Sequence, residues 1–188
     1  MNYVTKNFYT IFVIVIGFIL ILFINNKAEN VLDINKIDIK TVPDNFFNKV
    51  KYVAMDFKGN FLYKITSPTM KQFYESEIIE TEKPNILLFR KDMPPIKVTS
   101  NFASIEYKKH NIKLSGDVKM YFQKKLSEPS LLLNTDNIYI RLDQQLAETD
   151  SIVHINKGDS YLNGKGMKCN LTLGEFTIFK DTRGNYVQ

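Results

Sequence analysis

Apolar and polar residues alternate without a fault along Met167-Lys168-Cys169-Asn170-Leu171-Thr172-Leu173, which puts Met167, Cys169, Leu171 and Leu173 on one face of a strand. The same period recurs in Phe61/Tyr63/Ile65, Ile112/Leu114, Val118/Met120/Phe122, Ile138/Ile140/Leu142 and Val153/Ile155. Helical spacing explains none of these as well. The intervening Lys64, Lys113, Lys119, Tyr139, Arg141 and His154 are mostly polar, as expected where one sheet face is dry and the other wet. An all-β domain follows, and the glycines at 59, 116, 158, 164, 166, 174 and 184 are expected in the turns between its strands. Pro68, Pro84, Pro94, Pro95 and Pro129 add further breaks, giving the rhythm of a sandwich, barrel or roll.

A faint repeat runs through the second half of the chain. Ser104–Tyr107, a polar turn and Ile112–Met120 form one unit; Asn137–Ile140, a turn and Leu146–Val153 form a second; Gly166–Cys169, a turn and Phe176–Ile178 form a third. A period of about thirty residues means hairpins stacked side by side, none of which buries its apolar face alone.

The N-terminus is different. Phe8 to Ile24 carries no charge, and fourteen of its seventeen residues are Ile, Leu, Val or Phe. At ~1.5 Å per residue the run covers about 26 Å, and Asn7, Asn25 and Asn26 extend it towards the ~30 Å hydrocarbon core of a bilayer. Insertion gains roughly 4 to 8 kcal/mol. A cleaved signal peptide is the competing reading, but the apolar core is longer than usual for one, and Ala28 follows Asn26 and Lys27 instead of an A-x-A-like site. The expected organisation is a short tip (1–7), one transmembrane helix (8–25), a linker of mixed charge (26–44) and a single β domain (45–188). Lys6 lies before the helix and Lys27, Lys36 and Lys40 after it, so counting basic residues does not place the domain outside.

The net charge of +5 comes from lysines scattered among acids, without the dense basic block that nucleic-acid binding calls for. One cysteine excludes an intrachain disulfide. Cys169 points inward with Met167 and Leu171, as a core thiol would. His110 in a polar turn and His154 on the outward face lack ligand-spaced partners. The acids Glu75, Glu77, Glu80 and Glu82 lack the calcium-loop pattern. Phosphate loops, dinucleotide fingerprints and nucleophile elbows are absent from the sequence, so neither an enzyme nor a cofactor is expected. Two accounts of the interior stay open: an ordinary closed core, or a roll left open along one seam that receives something greasy.

The order of anchor, Lys58-Gly59-Asn60-Phe61-Leu62-Tyr63-Lys64-Ile65, Lys83-Pro84-Asn85-Ile86-Leu87-Leu88-Phe89, Ile112-Lys113-Leu114-Ser115-Gly116-Asp117-Val118 and Asn163-Gly164-Lys165-Gly166-Met167-Lys168 resembles the LptC family, inner-membrane components of lipopolysaccharide transport. The resemblance implies an open, twisted, antiparallel β-jelly roll of the OstA-like type, held in the periplasm by a single-pass inner-membrane anchor. It implies docking onto the ATP-driven extractor complex LptBFG at the N-terminal edge and onto the bridge protein LptA at the C-terminal edge. Strand addition suits such partners, because an unclosed roll has free sheet edges. By that resemblance Gly166 matches a family glycine near the last strands whose replacement is disruptive, at the partner interface.

On that footing, lipopolysaccharide acyl chains are expected in a slot lined by Tyr63, Ile65, Ile105, Tyr107, Leu114, Val118, Met120, Ile140 and Leu171. A tethered adaptor that joins partners by its edges without carrying lipid is the alternative. An anchored glycan-hydrolysing domain would need paired carboxylates facing one cleft, which isolated acids at turns do not predict.

Overall fold

The computed structural model describes residues 42–123 and 130–187. The expected tip, the anchor and the linker as far as residue 41 lie outside the described residues. The rest is all β. The strands are β1 (Asn45–Met55), β2 (Phe61–Phe73), β3 (Ile78–Glu82), β4 (Asn85–Arg90), β5 (Met93–Thr99), β6 (Phe102–Glu106), β7 (Asn111–Phe122), β8 (Leu131–Arg141), β9 (Leu146–Lys157), β10 (Ser160–Asn170) and β11 (Glu175–Asn185). All belong to one antiparallel sheet.

Register reveals the plan. Thr69 pairs with Glu82 and Thr66 with Asn85, so β3 and β4 are two halves of one line against β2, interrupted only at Lys83-Pro84. Glu82 pairs with Phe102 and Asn85 with Thr99, so β6 and β5 are likewise halves of one line, interrupted at Ser100-Asn101. The fold is therefore a meander of long strands, each bent near its middle. One leaf contains the C-terminal half of β2, then β3, β6 and the N-terminal half of β7; the other contains the N-terminal half of β2, then β4, β5 and the C-terminal half of β7. Strands β8 to β11 continue across both leaves, with register shifts at Ser115/Val118, Thr135/Tyr139 and Lys165/Met167 where they bend.

A bend interrupts the ladder and frees carbonyls that must be satisfied where no water reaches. Small hydroxyl residues do this along the crease. Ser67 donates to the Glu82 carbonyl (2.6 Å), Thr81 to that of Thr69 (2.8 Å), Ser100 to that of Phe102 (2.8 Å) and Thr135 to that of Ile152 (2.9 Å). All four residues are buried. Between the interruptions the backbone keeps bonding across the crease, Lys83 N–H to Asn101 O and Asn101 N–H to Gly116 O, both at 2.7 Å.

This corrects part of the turn pattern expected from glycine and proline. Gly59, Gly158 and Gly174 lie in hairpin turns, but Gly116, Gly164, Gly166 and Gly184 lie within strands. Pro68 is inside β2, and Pro84 sits at the β3–β4 bend. Leu173, expected on the dry face with Leu171, is exposed in the turn after β10, because the strand ends at Asn170. The thirty-residue repeat corresponds to real hairpins: β6–β7, β8–β9 and β10–β11 each turn at the same rim.

The core lies between the leaves. It is one continuous cluster running from Tyr63 and Ile65 through Ile86, Ile96, Ile112, Met120, Leu133 and Ile140 to Met167 and Leu171. Phe122 of β7 meets Phe176 of β11 edge to face, with ring centroids 5.1 Å apart, tying one leaf to the other.

Candidate functional site

Eight of the nine residues expected to line a lipid slot point into this interior. Tyr63, Ile65, Val118 and Met120 approach from one leaf, and Ile105, Leu114, Ile140 and Leu171 from the other; all are essentially inaccessible to solvent. Tyr107, in the turn between β6 and β7, is half-buried and packs against the edge of this core. The structure thus gathers these side chains but does not leave a vacant trough between them. They pack against one another, and the expectation of an unfilled slot is corrected on that point. A surface depression of about 440 Å³ lies on the outer face, lined by Lys71, Glu80, Phe102, Lys113 and Ser115. Alternation fixes which way a side chain faces; it does not fix whether opposing side chains meet.

One group inside is incompletely satisfied. The Tyr63 hydroxyl is buried with no hydrogen bond of ordinary length and angle among the described residues; its polar neighbour is the Tyr52 side chain. Burial, reinforced by nearby Tyr52, raises its pKa above the ordinary phenol range. Cys169 is also buried, and desolvation pushes its thiol up to about 12, so it is an inert core residue and not a nucleophile. Among the described residues no group of three His, Cys, Asp or Glu side chains could hold a metal. His154 is exposed beside Asn163, and His110 sits 3.1 Å from Asp143 at a hairpin turn.

Sequence reasoning passed over Arg90. It ends β4 on one rim, where the hairpin turns of its leaf lie, and its guanidinium is half-buried. Nε donates to Pro94 O (3.0 Å), Nη2 to Pro94 O (2.5 Å) and Gln123 O (2.8 Å), and Nη1 reaches across to Leu171 O on the opposite leaf (3.4 Å). No carboxylate among the described residues forms an ion pair with it. Burial lowers its pKa from the usual guanidinium value.

The two sheet edges are the other notable feature. Among the described residues β1 pairs only with β2, and β11 only with β10. Each edge region carries exposed apolar side chains: Phe46, Met55 and Phe57 at one end, Phe179, Tyr186 and Val187 at the other. Gly166 is not on that surface. It is buried in β10 with φ +71°, and a Cβ there would come 2.9 Å from the ring of Phe179 on β11. A side chain there would press on the seating of β11.

A family model described as lipopolysaccharide-assembly, LptC-related, matches residues 12–187. No curated protein matches the chain. Among solved structures, the chain is similar to LptH, the LptA-homologous periplasmic component of the lipopolysaccharide transport device of Pseudomonas aeruginosa, with a TM-score of 0.57 and 6% identity, over 67% of this chain and 95% of that one. At that identity the likeness concerns the fold alone. The family match spans the alternating strands, both edges and the buried interior, and on it the chain belongs to the LptC-related family of lipopolysaccharide-assembly proteins.

Proposed function

We propose that this chain carries lipopolysaccharide on its way from the inner to the outer membrane, receiving it from the ATP-driven extractor complex LptBFG and passing it to the bridge protein LptA. Residues 8–25 anchor it in the inner membrane, and residues 45–188 work in the periplasm. The lipid's acyl chains lie between the two leaves, against Tyr63, Ile65, Leu114, Met120 and their neighbours, while sugars and phosphates stay at the rim. The observation that carries this reading is an interior apolar from end to end, in a chain whose family match covers residues 12–187.

A filled interior changes how lipid must enter. Nothing can slide into a packed core, so the leaves have to part along the rim opposite the crease. Parting exposes apolar surface at a cost of about 25 cal/mol per Å², and an acyl chain laid on that surface returns a similar amount. The exchange is nearly balanced. A carrier needs that balance, because a deep trap would hold its cargo. Energy for net movement comes from the partner ATPase, and free strand borders at β1 and β11 suit strand addition to the two partners.

The packed core and free edges also favour a second reading, a tethered adaptor that joins partners without taking lipid. A staple between the leaves separates the two. In a Cys169→Ala background, Phe122→Cys and Phe176→Cys can be bridged by a short bismaleimide, since those rings touch across the leaves. The conduit reading expects the bridged protein to bind LptA and LptBFG yet fail to take up lipopolysaccharide. Undiminished lipid transfer after bridging would leave only the adaptor.

A further inference from the structure

The chain meets water with lysine; it has three arginines, and one of them, Arg90, is set into the rim of the roll. A guanidinium offers five N–H donors in a rigid fork that suits paired phosphate or carboxylate oxygens. At Arg90 four of the donor contacts go to backbone carbonyls, and none goes to an anion among the described residues. The bonds are also unequal. Three, at 2.5 to 3.0 Å, hold the group to its own leaf through Pro94 and Gln123; the single bond to the other leaf, at Leu171 O, is the longest at 3.4 Å. The head is thus fixed on one side of the mouth and lightly attached to the other. Neutral carbonyls balance a half-buried cation less well than an anion does, and a guanidinium fork can pair bidentately with phosphate oxygens.

We propose that Arg90 is a phosphate-binding clasp at the mouth of the roll: in the empty protein its Nη1 closes the seam on Leu171 O, and the phosphate of an entering glycolipid takes over that donor and holds the leaves apart. The proposal rests on the lipid-carrier reading and deepens it. It makes cargo recognition and opening one event when both Nη1 N–H groups turn to phosphate oxygens, since the one bonded to Leu171 O cannot serve both acceptors. The order of bond lengths sets the order of release: the Leu171 bond yields first while Pro94 and Gln123 keep the fork aimed.

The chain contains its own reporter. Cys169, its single cysteine, is fully buried two residues before Leu171 and lies within the electrostatic reach of the Arg90 guanidinium. Alkylation of Cys169 by a maleimide therefore reads opening of this stretch of the seam. Arg90→Gln and Arg90→Lys should be compared with the unaltered protein, with urea midpoints and near-ultraviolet circular dichroism reporting the fold. Binding is measured to bisphosphorylated lipid A, to its dephosphorylated form and to inorganic phosphate. Expected for Arg90→Gln are Cys169 alkylation at least fivefold faster without lipid, and at least fivefold weaker binding of the bisphosphorylated lipid with the dephosphorylated one unchanged. Arg90→Lys keeps the charge without the fork and should fall between. Inorganic phosphate alone, in the unaltered protein, should quicken alkylation only at concentrations far above those of the lipid. The clasp is overturned if Arg90→Gln alkylates at the original rate in a folded protein, or if both lipids lose affinity alike. If the unaltered protein binds both lipids and the variants do not discriminate, the clasp alone fails; if it binds neither lipid, the carrier reading fails with it.

Discussion

Replacing Gly164 or Gly166 by alanine tests the seating of the C-terminal edge, and the structure ranks the two. A Cβ at Gly164 would lie 2.3 Å from Ile178 Cγ2 and 2.9 Å from the Lys180 carbonyl, both on β11. Carbon atoms pack at about 3.5–4.0 Å. Relief requires moving a strand backbone, and such overpacking costs about 1–3 kcal/mol. At Gly166 the nearest atom belongs to Phe179, whose ring is 53% exposed and can swing outward. There the cost is mainly conformational: φ is +71°, a left-handed angle that costs an L side chain about 1 kcal/mol. Gly164→Ala should therefore be the more damaging, although Gly166 is the position to which the family resemblance draws attention.

The damage should also be local. Strand β11 pairs only with β10 among the described residues, and its second half is exposed throughout. Loosening β11 costs less than unfolding the core. Hydrogen exchange followed by mass spectrometry should show the β11 amides of Gly164→Ala exchanging roughly 5- to 150-fold faster, the equivalent of ~1–3 kcal/mol at tenfold per ~1.4 kcal/mol. Amides of β7 and β8 should keep their protection. Unchanged β11 exchange, a uniform loss across β7 and β8, or a larger effect at Gly166 would refute the reasoning.

Removal of the poorly bonded hydroxyl by Tyr63→Phe should leave the protein as stable or raise its urea stability by up to about 1 kcal/mol, since an unsatisfied buried polar group costs about 1–3 kcal/mol; a clear loss of stability would mean that the hydroxyl is well bonded in solution. Cys169 links stability to alkaline pH. Its folded pKa of about 12 lies above the unfolded thiol value near 8.5, so its contribution is complete below that lower value and is lost as pH rises towards the upper one. Between about pH 8 and 10 the urea midpoint should fall more steeply in the unaltered protein than in Cys169→Ala, and parallel curves would contradict the assignment.

Much of the fold can be read from alternation alone, since Tyr63/Ile65, Ile112/Leu114, Ile138/Ile140 and Val153/Ile155 all turn inward as their spacing requires. Strand length was not legible. A mid-strand bend and a hairpin reversal both break the alternation and both draw on glycine, proline and left-handed backbone. Asp117 and Lys83, at bends, have φ of 48° and 46°, and Asp92, in a hairpin turn, has 56°. Only the register with neighbouring strands tells them apart. The crease hydroxyls leave a faint local trace in β2, where inward Tyr63, Ile65 and Ser67 give way to Met70, a slip of one residue around Pro68. Arg90 leaves none, because the carbonyls it binds come from residues 94, 123 and 171, and only folding brings them together. Whether the interior is filled or vacant depends on the separation of the leaves, which no periodicity encodes.

The central claim is that acyl chains enter between the leaves of a core that is packed when empty. Photocrosslinking at neighbouring positions of β7 tests it most directly, because Met120 is buried and Lys119 faces outward. With LptBFG, ATP and lipopolysaccharide supplied, a photoreactive residue at Met120 should form lipopolysaccharide adducts in an ATP-dependent way, while one at Lys119 should form few. Adducts confined to Lys119 and other outward positions, with none at Met120 or Ile140, would contradict it.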